Sequence, residues 1–268
     1  MVGRLVSDEF WSRVEPVIPV VERRRRYPGR RRVDDRACLE AIMYVLRTGC
    51  QWAMVPASET GCTGKTAWRR MDEWDKAGVW DELHDKLLAE LNVQSGIDWS
   101  TGVVDSSSQR AVFGGTFTGP SPVDRAKNGV KTHALTGSQG VPLAVTLSAG
   151  NRHDVTQLLP LIDLRRDAPI AGKIGRPRGK TDRVLADRGY DYDKYRRELR
   201  SRGIVPAKRC TENGSGLGRE RWVVERTISH LHQPRRLRQC YERSDRFRLA
   251  FLKLRACQLC FLRLQTSF

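Results

Sequence analysis

Twice in the second half of the chain a short apolar run ends on an aspartate. Gly102-Val103-Val104 leads into Asp105 with three serines behind it, and Val184-Leu185-Ala186 leads into Asp187 with Gly189 close after. Runs this short and this apolar read as buried strands, and the polar residues that follow put each aspartate at a strand's exposed tip. Residues 131–136 and 141–147 read as antiparallel strands joined by Gly137-Ser138-Gln139-Gly140. Residues 154–166 carry Val155, Leu158, Leu159 and Ile162 at helical spacing behind a capping Asp154. Residues 193–202 form a charged helix capped by Asp191 and stopped by Gly203, and 204–206 make a short last strand. Helices interleaved with strands in this order argue for an α/β fold with a mixed sheet.

Glu225 sits in a different setting. Around it, in Arg221-Trp222-Val223-Val224-Glu225-Arg226-Thr227-Ile228-Ser229-His230-Leu231-His232, residues Val224, Ile228 and Leu231 recur at helical spacing. At 100° per residue Arg221 falls about 40° and His232 about 20° from Glu225, so the three share a polar face. Carboxylate oxygens suit Mg²⁺, and two such ions about 3.5–4 Å apart can serve both the attacking and the leaving oxygen of an in-line displacement at phosphorus. Asp105, Asp187 and Glu225 are therefore candidate metal ligands. Taken singly, an aspartate at a strand end is more often a turn former or a helix cap. Asp98, Asp124 and Asp182 read as surface or loop residues.

Beyond these carboxylates the chain resembles bacterial insertion-sequence transposases of the Asp-Asp-Glu class, specifically the insertion-sequence-five family. The resemblance is carried by Val104-Asp105-Ser106-Ser107, Gly129-Val130-Lys131-Thr132-His133, Gly140-Val141-Pro142-Leu143, Gly150-Asn151-Arg152-His153-Asp154, Ala186-Asp187-Arg188-Gly189-Tyr190-Asp191 and Arg221-Trp222-Val223-Val224-Glu225-Arg226. Leu46-Arg47-Thr48-Gly49-Cys50-Gln51-Trp52 and Trp74-Asp75-Lys76-Ala77-Gly78-Val79-Trp80 extend it toward the amino terminus. It implies a ribonuclease-H-like catalytic core with Asp105, Asp187 and Glu225 as catalytic metal ligands for two Mg²⁺ ions, Mn²⁺ being able to substitute. It also implies cleavage at terminal inverted repeats followed by strand transfer into target DNA, by a homo-oligomer in the bacterial cytoplasm, associated with the nucleoid. Relatives carry Tyr, Arg, Glu and Lys along the glutamate helix; here Gly218 and His232 stand at the first and last of these positions, and Pro234 should bend or stop the helix near Gln233. His232 is expected to contact phosphate in place of the lysine.

Charge sets the partner class. Lys and Arg number 48 against 31 Asp and Glu, a net +17, which is the footprint of a nucleic-acid binder. No apolar stretch approaches the length of a membrane span, and no signal segment opens the chain. Seven scattered cysteines, an odd number, fit reduced cytoplasmic thiols. Gly64-Lys65-Thr66 lacks the first glycine of a nucleotide-binding loop, where Glu59 stands, and Cys257-Gln258-Leu259-Cys260 lacks the second pair of a zinc site. His133 and His153 read as structural or rim residues.

Residues 1–95 read as an all-α, helix-turn-helix-like DNA-binding domain, and 96–268 as the catalytic domain. Residues 34–47 make a helix stopped by Gly49, and Thr63 caps a second whose Ala67, Met71 and Trp74 form one face while Lys65, Arg69 and Arg70 lie elsewhere. Four more basic features are candidate DNA contacts. They are the arginine arm at 23–32, Arg176 and Arg178 in Gly175-Arg176-Pro177-Arg178-Gly179-Lys180, Arg235 and Arg236 beside Arg221 and His232, and an amphipathic helix over 246–263. Two other functions fit the same residues: a structure-selective nuclease that cleaves without joining, and a non-catalytic DNA-binding repressor.

Overall fold

The computed structural model describes residues 4–22, 25–27, 29–94, 96–172, 175–207 and 217–266. Arg23, Arg24 and Pro28 of the arginine arm lie outside the described residues. Five helices come first: α1 (Asp8–Val14), α2 (Asp35–Thr48), α3 (Ala57–Thr60), α4 (Gly64–Lys76) and α5 (Val79–Gln94). The caps are local chemistry. Asp34 accepts from the Ala37 amide at the start of α2 and Thr63 from the Thr66 amide at the start of α4, while Gly49 ends α2 at φ 72°, a conformation that suits glycine.

Six strands form one sheet: β1 (Thr101–Arg110), β2 (Gly119–Pro120), β3 (Asn128–Gly137), β4 (Pro142–Ala149), β5 (Arg183–Leu185) and β6 (Val205–Pro206). β3 lies between β4 and β1 and is antiparallel to both; β1, β5 and β6 follow side by side and parallel, and β2 pairs only with the start of β3. This is the ribonuclease-H-like order expected from the sequence. The helices α6 (Leu158–Asp167), α7 (Asp193–Ser201), α8 (Leu217–Leu231), α9 (Arg235–Arg238) and α10 (Asp245–Thr266) complete the chain. No helix among the described residues is long and apolar enough to cross a membrane.

Four local expectations are corrected. Asp105 is not at a strand's tip: β1 runs on through Ser106–Ser108 to Arg110, all paired with β3. Asp154 does not cap a helix: its carboxylate pairs with Lys131 Nζ at 2.8 Å, and a 3₁₀ turn over Asp154–Gln157 precedes α6. Asp191 pairs with Arg196 at 3.0 Å, and Tyr192 precedes α7 with no side-chain cap. α10 is not an amphipathic helix with a basic face on DNA. It is the central helix of the amino-terminal layer, with Phe251, Leu252, Leu254, Ala256, Cys257 and Cys260 wholly buried against α5 and α4.

The arginines of α10 explain the Pro234 bend. Proline cannot donate a backbone bond, so carbonyls around it need other partners. Arg248, wholly buried, donates to the carbonyls of Arg236, Leu237 and Gln239 at 2.7–2.9 Å, and Arg255 donates to the His230 carbonyl at 3.0 Å. Residues 235–238 are thus a separate short helix, fixed from behind.

One core joins the helices to the sheet. Leu39, Trp74, Leu87, Phe251 and Leu264 belong to the same buried cluster as Val103, Leu135, Leu161 and Leu185. The change near residue 95 is from helix to sheet, with no break in the apolar interior.

Candidate active site

The last paired residues of β1 and β5 are Val103 and Leu185. Asp105 and Asp187 each lie two residues further on, so the shared register carries both carboxylates to one level of neighbouring parallel strands and, by the two-residue period, to one face. α8 packs on β1 and β3 and brings the third acid. Arg221 Nη2 stands 3.6 Å from Asp105 Oδ2, and Glu225, one turn later, is exposed. Asp105 Oδ1 accepts from the Ser106 amide at 2.8 Å.

Electrostatics report the proximity. Burial raises the Asp105 carboxyl above its ordinary range; the Ser106 amide and Arg221 oppose the rise, while the charges of Asp187 and Glu225 add to it. Among the described residues no three His, Cys, Asp or Glu side chains close on one point as metal ligands. The two aspartates are aligned, and Arg221 is turned onto one of them. Asp187 Oδ1, however, is buried without a hydrogen-bond partner among the described residues. A buried anionic oxygen left bare is costly, and a hard cation with oxygen ligands is what such a group accepts. The donor set fits Mg²⁺ or Mn²⁺ in its chemistry. Gly189 leaves the carboxylate room, since a Cβ there would stand 3.1 Å from Asp187 Oδ1.

Sequence reasoning missed Tyr190. Its ring is buried, and its hydroxyl is held well above its usual pKa by burial and then by the charges of Asp154, Asp105 and Asp187. The signal was its place three residues after Asp187, at the end of a 3₁₀ turn that leads into α7. His133 is buried, with Nε2 2.8 Å from Ser148 Oγ, and His153 is exposed, with Nε2 3.2 Å from the Tyr192 hydroxyl.

The expected DNA contacts divide sharply. Lys65, Arg69, Arg176, Arg178 and Arg235 are exposed. Arg178 pairs with Asp182 at 2.6 Å, and its backbone bridges to Ile170, which pins the Gly175–Lys180 loop ahead of β5. Arg70 and Arg236 are corrected. Arg70 is 5% exposed, ion-paired with Asp35 and Glu73, and ties α4 to α2; Arg236 is 7% exposed, pairs with Glu242 at 2.6 Å and donates to the Cys50 carbonyl. Both spend their charge inside the protein.

His232 is corrected too. It follows the end of α8 and turns inward, with Nδ1 3.4 Å from Gln109 Nε2 and Nε2 3.3 Å from Thr132 Oγ1. Burial first, then the Arg248 charge, lowers its pKa to about 4. A neutral, inward imidazole cannot replace a lysine on phosphate. His84 and His133 are likewise held down to about 4 by burial. Unfolded, all three titrate near 6.5, so between these values the unfolded chain binds more protons and stability falls as pH drops from about 6.5 toward 4. Urea midpoints should decline over that window, and less steeply for His232→Gln; equal slopes for both proteins would contradict the burial of His232. His232→Lys should lower the midpoint outright.

The model described as "Putative transposase of IS4/5 family" matches residues 6–84, and the "Transposase DDE domain" model matches residues 99–260. Two Burkholderia cepacia proteins are similar. A "Putative transposase for insertion sequence element IS402" is 53% identical over 150 residues, 55% of this chain and 70% of that protein. An "Insertion element IS402 uncharacterized 16.2 kDa protein" is 47% identical over 124 residues, 46% of this chain and 84% of that one. Among solved structures, the Mos1 strand transfer complex aligns over 97% of this chain and 84% of its own at 10% identity, with a TM-score of 0.34. With one family model spanning most of the chain and the other its amino-terminal helices, the chain belongs to the DDE-domain transposases of the IS4/5 family.

Proposed function

We propose that this protein binds the terminal inverted repeats of its insertion sequence, cleaves there and joins the freed 3′ ends to target DNA, acting as a homo-oligomer on duplex DNA. The observation that carries the reading is the shared register of Asp105 and Asp187, together with a bare Asp187 oxygen, in a chain of this family. Asp105, Asp187 and Glu225 would hold Mg²⁺ or Mn²⁺, which when bound polarises phosphoryl oxygens and activates a water or hydroxyl nucleophile. The chain's own residues then have distinct tasks. Arg221 neutralises Asp105, and its guanidinium is placed to pass from that carboxylate to a phosphate oxygen. Lys65 and Arg69, exposed on α4, and Arg176 on the loop before β5 hold the duplex by its backbone.

The test is a joining assay with labelled repeat ends and plasmid target. Labelled ends covalently attached to target are the expected product. Cleavage without joining would favour a structure-selective nuclease, and binding without nicking in either metal would favour a repressor.

A further inference from the structure

Beyond Asp105, β1 runs on for five residues to a surface that none of the roles above uses. Ser108, Arg110 and Val112 are exposed there while Gln109 and Ala111 are buried, so the end of the strand turns one face to solvent. The segment after α9 extends the sheet beside it. Cys240 N–H donates to the Arg110 carbonyl and Val112 N–H to the Cys240 carbonyl, both at 2.9 Å, a parallel bridge between Ala111 and Cys240. Ala111, Cys240 and Val130 close a small apolar cluster underneath, which holds the two segments together. On the open side Phe113, 57% exposed, meets Tyr241 with ring centroids 6.3 Å apart.

Around this aromatic pair stand Arg110, Arg238 and Arg243, all exposed, and none is ion-paired with an acid among the described residues. Lys127, exposed at the start of the neighbouring β3, adds a fourth cation. The nearby Glu242 is buried and already paired with Arg236. Elsewhere on this surface arginines are commonly matched: Arg32 with Glu73, Arg178 with Asp182, Arg183 with Glu220, Arg246 with Asp72 and Asp75. A cluster of unmatched cations on a rigid extended platform suits a polyanion. A second copy of this chain, with net charge +17, would bring the wrong sign.

We propose that the ledge formed by Arg110, Phe113, Arg238, Tyr241 and Arg243 is a second duplex-DNA contact, gripping backbone phosphates beyond the one positioned at the carboxylates. Arg110 lies five residues past Asp105, about 16 Å along the strand, and by the two-residue period it faces the other side of β1 together with Ser108 and Val112, so the ledge holds duplex apart from the stretch at the carboxylates. The inference rests on the function proposed above for the carboxylates and adds to it a site set by charge alone, without sequence preference.

The experiment measures binding of the full chain to a fluorescent blunt duplex of arbitrary sequence over a range of salt concentrations. For each lost phosphate contact the slope of log affinity against log salt falls by about 0.9. Replacing Arg110, Arg238 and Arg243 together with glutamine should reduce the slope by about 2–3 at unchanged thermal midpoint, and replacing the same three with lysine should keep it. An unchanged slope in the glutamine protein overturns the ledge, as does a slope lost equally in the lysine protein, which would make the effect one of packing. Failure of the wild-type chain to bind the duplex at low salt would instead overturn the proposed function.

Discussion

Asp105→Asn, Asp187→Asn and Glu225→Gln should each lower cleavage of repeat ends on the order of a thousandfold or more, about 4 kcal/mol of barrier, while leaving duplex affinity nearly intact. The asymmetry follows from what each group touches. Binding draws on exposed cations spread over the surface, whereas the acids act only at the phosphate being broken. Asp105 adds a pH signature. Its carboxyl is raised by burial and by the two neighbouring acids. Metal binding needs it ionised, so the metal concentration that supports cleavage should rise as pH falls toward that raised value. The same shift bears on stability with a definite sign. The folded state binds the proton more tightly than the unfolded state, so ionised Asp105 is a net cost above that pKa, and Asp105→Asn should melt no lower than wild type at neutral pH. An inactive Asp105→Asn protein that is also markedly less stable would mean the carboxylate is structural. Ordinary Mg²⁺-dependent cleavage by the same variant would remove Asp105 from the site.

The strands and the place of Asp187 just past β5 were legible because both signals are local, whereas the run of β1 on past Asp105 was hidden by its polar serines. A short apolar run and its polar end are read along one strand, and a parallel register then aligns positions equally spaced from the pair. Arg70, Arg236 and His232 were illegible for the opposite reason. What removes each from the surface is a partner outside its own element: Asp35 for Arg70, Glu242 and the Cys50 carbonyl for Arg236, Thr132 and Gln109 for His232. Helical periodicity gives a direction around an axis and says nothing of what arrives on that side. α10 misled for a related reason. Its many arginines suggested a solvent face, but Arg248 and Arg255 turn their charge to carbonyls freed around Pro234, a use visible only once the bend is known.

That burial of α10 decides how the helical part behaves alone. A fragment of residues 1–95 contains α1 to α5 and every contact among them, and by composition it could pass for an independent DNA-binding domain. In the folded chain its apolar faces are completed from the other end of the sequence. Phe251 stacks on Trp52 at 5.8 Å, Phe247 on Trp68 at 5.2 Å, and Phe261 meets Phe10 at 5.1 Å. Arg246 ties to Asp75 at 3.0 Å, and Lys253 to Asp81 at 2.7 Å. Deleting α10 uncovers the partners of Phe251, Leu252, Leu254, Phe261 and Leu264, each worth about 1.5–3 kcal/mol when buried, or roughly 8–15 kcal/mol in all, as much as the whole stability of an ordinary domain. The fragment should therefore show no cooperative thermal transition and little of the salt-sensitive duplex binding of the intact chain. A fusion that returns residues 245–266 to it through a flexible linker should restore the transition. A cooperative melt of 1–95 alone, with binding retained, would show that α2, α4 and α5 make a sufficient core among themselves and that α10 only covers it.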